Sequence, residues 1–304
     1  MSGQQHLSKA NLFLVGAAKS GTTSLAVLLS THSDVFMPSI KEPFYFVDGF
    51  GMQSPDEYSR LYDKSVRYNL DASTGYLYDP SCPRKIKDYN PNAKILIVLR
   101  NPITFVLSYW EFMKANGNEN LPFEEAISDE VEKMRSSSEF RQSCEQWSFN
   151  YLYRKRALYY SQVKSYLDVF KRQNIKIVLF EDLIKDRTVL KGIYEYLDVE
   201  WEDGLSLPKS NSTGEPVAFV KWLRFSPFLA YLKWPFKKFI PLTVRHKIRS
   251  VLSRNAMTNR DYQKRILDMD ERNALVDFFQ EDVKQLTQLL PELDFSTWQD
   301  FNGK

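Results

Sequence analysis

Cysteine and histidine are scarce in this chain, and long apolar runs are missing from it. The sequence has 304 residues, with only two cysteines, Cys82 and Cys144, and three histidines. No Cys-x-x-Cys pair or Cys/His cluster occurs, which argues against a structural zinc site or a disulfide scaffold and fits a reducing compartment. No run of about 18 apolar residues occurs, which excludes a membrane-spanning helix.

The N-terminal residues also lack the pattern of a secretory signal. Met1 to Lys9 are polar, and the run that follows, Asn11-Leu-Phe-Leu-Val15, is too short for the core of a signal peptide. A composition of 43% hydrophobic and 26% charged residues is typical of an ordinary globular protein. We therefore expect a cytoplasmic globular protein.

Charge is unevenly distributed along the chain. The whole sequence has 41 Lys and Arg against 38 Asp and Glu, a net charge of +3. Residues 209–265, called the basic segment below, hold 13 basic and two acidic side chains, so this segment carries +11 and the rest of the chain carries −8. The segment also contains eight closely spaced aromatic residues: Phe219, Trp222, Phe225, Phe228, Tyr231, Trp234, Phe236 and Phe239.

Three interpretations of the basic segment remain open. Its aromatic residues can pack into the core as a helical cap, or they can form a groove for an anionic or glycan acceptor. Alternatively, they can lie in a membrane interface with Lys and Arg on anionic lipid, which predicts peripheral contact with the inner membrane face through residues 219–250. Nucleic acid is not an expected partner, because no signature of a nucleic-acid-binding module is present.

Strand patterns alternate with helical patterns along the chain. Strand patterns lie at residues 11–15, 66–70, 94–99 and 175–180, and helical patterns lie at 22–29, from 102, from 158, at 186–197 and at 275–290. This alternation predicts an α/β fold with a mainly parallel central sheet. We expect residues 1–208 to form the α/β core and residues 209–304 to form a helical C-terminal part of the same domain.

A glycine-containing turn, Gly16-Ala-Ala-Lys-Ser-Gly21-Thr-Thr, joins the first predicted strand to the first predicted helix. A helix N-terminus favours an anion, and glycine allows close approach of the backbone to a ligand. The glycine spacing matches a P-loop, so we expect a P-loop-like three-layer fold. However, the lysine lies inside the turn at Lys19, and no aspartate ends the buried strand to hold magnesium, which argues against an NTPase. A turn without a ligand is the alternative interpretation.

A second cluster of polar residues follows the predicted strand 94–99. Arg100 ends this strand, and Ser108 lies about two turns into the helix that opens with Pro102, at roughly 1.5 Å per residue. A cation at the end of a parallel strand lies at the edge where α/β proteins bind ligands. Two anion sites on two strand ends suit a nucleoside that carries phosphates at both ends.

These residues resemble the motifs of a known family. Lys19-Ser-Gly-Thr-Thr-Ser24 resembles the 5′-phosphosulfate loop of sulfotransferases that use 3′-phosphoadenosine 5′-phosphosulfate (PAPS), and Arg100-Asn-Pro with Ser108 resembles their 3′-phosphate motif. The likeness covers roughly residues 11–200 and is similar above all to the carbohydrate (heparan-type) branch and its bacterial relatives. It continues through Thr31-His-Ser-Asp34, Lys41-Glu-Pro-Phe-Tyr-Phe46, Ala157-Leu-Tyr-Tyr-Ser-Gln162 and Phe180-Glu-Asp-Leu183.

The resemblance implies a reaction and a set of site residues. The implied reaction is in-line transfer of a sulfuryl group from PAPS to a hydroxyl or amine of a carbohydrate or glycolipid, with 3′-phosphoadenosine 5′-phosphate (PAP) as product and no metal required. Lys19 would neutralise the leaving phosphate, and Glu42 would be the base, as a glutamate is in the carbohydrate branch. The implied donor-binding residues are Lys19, Ser20, Gly21, Thr22, Thr23, Ser24, Arg100 and Ser108, and the candidate acceptor contacts are Lys41, Tyr76 and Tyr159.

The sequence also departs from the family pattern. Phe105 and Val106 occupy the region where relatives often carry an arginine, and Asp71-Ala-Ser-Thr-Gly-Tyr76 replaces a Glu-Lys-Ser/Thr-Pro motif. A Lys-Gly-Arg loop near the C-terminus is missing from the sequence. A surface salt bridge with Lys41 is the alternative interpretation of Glu42. The alternative functions are a P-loop-like small-molecule kinase and a nucleotide- or anion-binding protein without transferase activity.

Overall fold

The computed structural model describes residues 9–62, 64–144, 146–208, 215–216, 257–258 and 265–302. The basic segment therefore lies outside the described residues, apart from Arg265 and two short strands. The predictions made for it, namely a helical cap, an acceptor groove and membrane contact through residues 219–250, fall on residues that the structure does not describe.

Five parallel strands form the central sheet, in the order β2-β3-β1-β4-β5. Their bounds are β1 (Leu12–Gly16), β2 (Val35–Phe36), β3 (Tyr68–Asp71), β4 (Lys94–Leu99) and β5 (Ile175–Leu179). Leu12 of β1 pairs with Leu70 on one side and with Lys94 on the other. The predicted α/β fold with a parallel sheet is confirmed, and β1 and β4 are neighbours whose carboxyl ends meet at the same edge.

Helices of very different lengths surround the sheet. They are α1 (Thr22–Leu29), α2 (Pro55–Arg60), α3 (Cys82–Tyr89), α4 (Pro102–Ala115), α5 (Phe123–Ala126), α6 (Asp129–Arg135), α7 (Ser138–Ser143), α8 (Tyr159–Val169), α9 (Phe180–Lys185), α10 (Arg187–Leu197) and α11 (Met269–Leu289). Two short strands, β6 (Glu215–Pro216) and β7 (Met257–Thr258), pair antiparallel. The sequence predicted α1, α4, α8, α10 and α11, whereas the other helices are short and complete too few turns to show apolar periodicity.

The two faces of the sheet bury separate sets of side chains. In β1, Phe13 and Val15 belong to one hydrophobic cluster, whereas Leu12 and Leu14 belong to the other. Successive strand residues point to opposite faces, so the sheet is covered on both sides. Helices α1 and α10 cover one face and α4, α8 and α11 cover the other. This is the predicted three-layer arrangement.

The described C-terminal residues belong to the same core as the sheet. Helix α11 begins at a capping box between Asp268 and Glu271, and it buries Phe279 and Leu286 in the cluster that also contains Tyr159. Its Asp282 carboxylate accepts hydrogen bonds from the backbone N–H groups of Tyr159, at 2.8 Å, and Tyr160, at 3.2 Å. This carboxylate thereby caps α8. Within the described ranges, no helix combines the length and apolar character needed to cross a membrane.

Candidate active site

The turn between β1 and α1 presents uncapped backbone N–H groups. Gly21 is the N-cap of α1 with φ 72°, and no side chain caps this helix end. The first N–H groups of a helix have no partner within it, so they can bind an anion. A Cβ atom on Gly21 would lie 2.8 Å from the ring of Phe180, and the left-handed φ also favours glycine. The turn therefore needs Gly21 for its geometry and for its packing.

The hydroxyl residues of the turn differ in exposure. Ser20, Thr22 and Ser24 are buried, whereas Thr23 and Gly21 are partly exposed. The Ser20 hydroxyl donates to the backbone oxygen of Ala18 at 3.3 Å. Among the predicted hydroxyl donors of this loop, Thr23 is therefore the one that solvent reaches most readily.

Arg100 joins the end of β4 to the turn. Its Nη1 donates to the backbone oxygen of Lys19 at 2.7 Å, and its Nε donates to Thr104 Oγ1 at 3.0 Å. Its guanidinium lies 5.1 Å from the centroid of the Phe180 ring. The structure thus places the two predicted phosphate-binding cations side by side, although Lys19 and Arg100 are far apart in sequence.

One face of α4 continues this site. Thr104, Ser108 and Phe112 follow each other at intervals of four residues, so they line one side of the helix. Thr104 contacts Arg100, Ser108 is partly exposed, and the ring of Phe112 lies 4.6 Å from the Lys19 ammonium. The face therefore runs from Arg100 to Lys19, with Ser108 between them.

The surroundings of the Lys19 ammonium disfavour its charged form. Burial and the neighbouring Arg100 lower the pKa of Lys19 to about 8, although Glu111 and Glu42 oppose the shift. A cation that is partly desolvated and close to a second cation gains more from a bound anion than a solvated lysine does. This is the electrostatic setting expected of a group that receives a phosphate.

Glu42 lies in a short segment with unusual backbone geometry. Its φ is 60° and that of Phe44 is 51°, which are left-handed values that non-glycine residues rarely adopt. Its Oε1 accepts from Lys41 Nζ at 3.0 Å and from Thr74 Oγ1 at 2.9 Å. The salt bridge expected under the alternative interpretation is therefore present, but a second donor and a strained backbone accompany it.

The charge state of Glu42 reflects two opposing effects. Burial alone would raise its pKa, but the Lys41 ammonium, the hydrogen bonds from Lys41 and Thr74, and the Arg156 guanidinium hold the pKa below its ordinary value. The carboxylate is therefore ionised at neutral pH and can accept a proton. Its side chain is 34% exposed, so an incoming group can reach it.

The three residues predicted to contact the acceptor have different positions. Lys41 is partly exposed and paired with Glu42. Tyr76 and Tyr159 are both 0% exposed, and Tyr76 donates to Asp71 Oδ2 at 3.0 Å. Within the described part of the chain, the Tyr159 hydroxyl lacks a hydrogen-bond partner. Both tyrosines lie beneath the surface of the site, so this conformation does not expose them to an acceptor.

Sequence reasoning missed a buried arginine beside Glu42. Arg156 is 4% exposed, and its Nη1 donates to Asn150 Oδ1 at 3.1 Å. Its Nε has no hydrogen-bond partner among the residues described, and the side chain lines a cavity of about 10 Å³ together with Thr74 and Tyr78. A cavity of this size holds about one water molecule. The signal in the sequence was its position directly before the Ala157-Leu-Tyr motif.

A hydrogen-bonded network holds Asn101, the residue that follows Arg100. The Glu181 carboxylate accepts from the backbone N–H of Asn101 at 3.0 Å and from Trp298 Nε1 at 3.0 Å. Asn101 Nδ2 donates to Asp300 Oδ2 at 2.9 Å. The C-terminal residues therefore hold the loop that follows β4. No sequence pattern linked these residues, because they come from three separate regions of the chain.

Taken together, the geometry provides two kinds of chemistry at one sheet edge. The α1 N-terminus, Lys19 and Arg100 concentrate positive potential where an anionic ligand can lie. Glu42 supplies a partly exposed carboxylate within electrostatic range of Lys19. Across the described residues, no group of three or more His, Cys, Asp or Glu side chains is arranged to hold a metal ion.

Comparison with known proteins connects this geometry to a family. The sequence pattern of the sulfotransferase domain family matches residues 9–213. The bifunctional heparan sulfate N-deacetylase/N-sulfotransferase 1 of Caenorhabditis elegans is 27% identical over 198 residues, which cover 62% of this chain and 22% of that protein. The chain thus spans about a fifth of the length of this curated relative.

Solved structures show the same fold. A sulfotransferase from Alicyclobacillus acidocaldarius superposes with a TM-score of 0.68 at 28% identity, covering 96% of this chain and 99% of that one. The mouse sulfotransferase SULT7A1, solved in complex with PAP, superposes with a TM-score of 0.50 at 16% identity, covering 94% of this chain and 89% of that one. The second likeness concerns the fold alone.

Proposed function

Since this chain belongs to the sulfotransferase domain family, we propose that it transfers a sulfuryl group from PAPS to a hydroxyl or amine of a carbohydrate or glycolipid. The observation that carries the proposal is the hydrogen bond from Arg100 Nη1 to the backbone oxygen of Lys19, at 2.7 Å. It places two cations and a helix N-terminus at neighbouring strand ends, as a nucleotide with phosphates at both ends requires. The similarity to heparan sulfate N-sulfotransferases favours a glycan acceptor.

Each donor-side residue has a defined role in this proposal. PAPS supplies the sulfuryl group, with its 5′-phosphate as the leaving group. Lys19 and the N–H groups of Gly21 to Thr23 stabilise the charge that develops on this phosphate, and no metal is required if they supply the field. Arg100 and Ser108 bind the 3′-phosphate, with Arg100 in a charge-assisted hydrogen bond. Ser20, Thr22 and Ser24 are the other donor-binding residues of this loop in the proposal.

Glu42 acts as the base on the acceptor side. An acceptor oxygen or nitrogen forms a bond to sulfur while the bond from sulfur to the phosphate oxygen breaks, and the acceptor proton passes to the Glu42 carboxylate. A base works best when its pKa is near the working pH. The low pKa of Glu42 rises when an anionic donor binds nearby, since negative charge disfavours a carboxylate. Donor binding thus brings the pKa of Glu42 closer to the working pH.

Thermal unfolding with PAP tests the proposal against the alternatives. In EDTA, PAP should raise the Tm by about 5 °C at a concentration of about 100 times Kd. ATP with magnesium should give no comparable shift, and labelled PAPS should transfer its sulfuryl group to at least one member of a panel of de-sulfated glycans and glycolipids. A shift with ATP and magnesium alone would favour the kinase, and binding of PAP without transfer to any acceptor would favour a binding protein.

Replacing Lys41 should move the acidic limb of the activity profile. Glu42 is ionised at neutral pH because its pKa is lowered, so activity is present there and falls as pH drops through the pKa of this carboxylate in the PAPS complex. Lys41→Met removes a charge and a hydrogen bond from Glu42, which should raise its pKa and shift the limb upward by about one pH unit. The measurement is kcat against pH at saturating PAPS.

Lys164→Met is the matched control for this shift. Lys164 also pairs with a carboxylate, that of Asp168, but it lies on the exposed side of α8. Its replacement should leave the profile unchanged. An unchanged profile in Lys41→Met as well would contradict the role of Glu42 as the titrating base.

A further inference from the structure

A buried carboxylate lies beneath the Glu42 segment and has no role in the reaction described so far. Asp71, at the end of β3, is 1% exposed. Three hydroxyl groups donate to it: Tyr58 to Oδ2 at 2.7 Å, Tyr76 to Oδ2 at 3.0 Å and Ser73 to Oδ1 at 2.6 Å. Across the described ranges, no cationic side chain forms an ion pair with it.

Stability does not explain why this position carries an ionisable group. Burial raises the pKa of Asp71 to about 6, although the three hydrogen bonds oppose the shift. A raised pKa means that the stabilising contribution is complete below the ordinary pKa of an aspartate and is lost as pH rises through about 6. As pH rises above about 6, the folded protein therefore holds Asp71 ionised against the cost of its burial.

Ser73 connects this carboxylate to the segment that carries Glu42. The Ser73 hydroxyl donates to Asp71, which leaves its lone pairs to accept from the backbone N–H of Phe44 at 3.3 Å. The next residue, Thr74, donates to Glu42 Oε1 at 2.9 Å. Residues 73 and 74 thus hold the 42–44 segment at its backbone and at its catalytic side chain.

The 42–44 segment needs such support because of its backbone geometry. Glu42 and Phe44 both have left-handed φ values, 60° and 51°. A non-glycine residue keeps this conformation only where surrounding contacts enforce it, since each costs of order 1 kcal/mol or more. A hydroxyl whose proton is committed to a carboxylate accepts from a backbone N–H in one fixed direction. The Asp71 carboxylate therefore orients the Ser73 hydroxyl, and this hydroxyl holds the backbone N–H of Phe44 in place.

We propose that Asp71 is a positioning residue for sulfuryl transfer, which holds Glu42 toward the acceptor through the Ser73 hydroxyl and the backbone of Phe44. The inference rests on the proposed function, in which Glu42 is the base. It assigns a role to the Asp71-Ala-Ser-Thr sequence, where the chain departs from the family pattern. Asp71 is buried, so in this proposal it acts only through the segment it holds.

Asp71→Asn and Ser73→Ala test the proposal through kinetics. Both should lower kcat about 10- to 100-fold with an unchanged KM for PAPS, because a displacement of about 1 Å of a catalytic group costs about that much. Asp71→Asn should retain its affinity for PAP, while Ser73→Thr keeps the hydroxyl and should retain activity. Ser81→Ala is the control, since Ser81 also donates to an aspartate, Asp79 at 2.7 Å, but outside this network.

Amide hydrogen exchange tests the hydrogen bond between Ser73 and the Phe44 backbone, here called the brace, without relying on catalysis. Ser73→Ala should accelerate exchange of the Phe44 amide, whereas Ser81→Ala should not. Unchanged kcat in both Asp71→Asn and Ser73→Ala would overturn the proposal, and so would parallel losses of kcat, Tm and PAP affinity, which indicate a merely structural role. If the wild-type protein transfers no sulfuryl group, the proposed function fails, and unchanged Phe44 exchange in Ser73→Ala would then overturn the brace separately.

Discussion

Glu42→Gln is expected to lower kcat by about 10²- to 10⁴-fold, the range in which a general base contributes. Glutamine has nearly the same shape and can still accept from Thr74, which donates to Glu42 Oε1 at 2.9 Å. It cannot take the acceptor proton, so the loss should appear in kcat rather than in the KM for PAPS. Initial rates with labelled PAPS, together with PAP affinity by calorimetry, measure the two quantities separately.

Asp48→Asn provides the control for this substitution. Asp48 lies on the same connection between β2 and α2, and its side chain is 86% exposed and paired with Lys85 at 2.7 Å. Removing this charge should leave kcat unchanged. Near-normal turnover in Glu42→Gln with normal PAP affinity would remove Glu42 from the mechanism and would support the salt-bridge interpretation of the Lys41–Glu42 pair.

Lys19→Met is expected to lower kcat by about 10²- to 10³-fold, as the loss of one electrostatic donor at a developing charge does. Methionine keeps the apolar stem that lies against Phe112 but removes the ammonium, 4.6 Å from that ring. PAP affinity should also fall, because in the proposed function the same ammonium would contact the 5′-phosphate in the ground state. Lys19→Arg keeps the charge, so its losses of kcat and of PAP affinity should be smaller.

The pH dependence of PAP binding offers a second test of Lys19. Because burial and Arg100 lower its pKa to about 8, the unliganded protein loses this charge as pH rises through that value. PAP affinity should therefore decline above about pH 8 in the wild-type protein and should lose this dependence in Lys19→Met. Lys114→Met is the control, since Lys114 also lies 4.6 Å from an aromatic ring, that of Trp110, but on an exposed position of α4.

Local patterns predicted the elements that carry the candidate donor residues. The bounds of α1 and β4, Thr22–Leu29 and Lys94–Leu99, match the sequence predictions because α1 begins directly after Gly21, and the apolar run of β4 ends directly before Arg100. The meeting of Lys19 and Arg100 was also predictable. Neighbouring parallel strands bring their carboxyl ends to one edge, and each of these residues follows such a strand.

The burial of the candidate acceptor residues was harder to predict. Tyr76 and Tyr159 were expected to contact an acceptor, yet both are 0% exposed. A tyrosine has an apolar ring and a polar hydroxyl, so its sequence context does not reveal whether it lies inside the protein or at its surface. Asp71 was noted only as a departure from a motif, and Arg156 was not noted, since their partners come from distant parts of the chain.

The sequence by itself determined the α/β fold, the glycine turn between β1 and α1 and the family, because these depend on short-range periodicity and on contiguous motifs. The tertiary structure decided the charge states of Lys19 and Glu42, the burial of the tyrosines and the support of the 42–44 segment by Asp71 and Ser73. These properties depend on desolvation and on hydrogen bonds between residues that only folding brings together. The same physical reason separates the two parts of the candidate site: two neighbouring strand ends bring Lys19 and Arg100 together, whereas the surroundings of Glu42 come from several segments that are far apart in the chain.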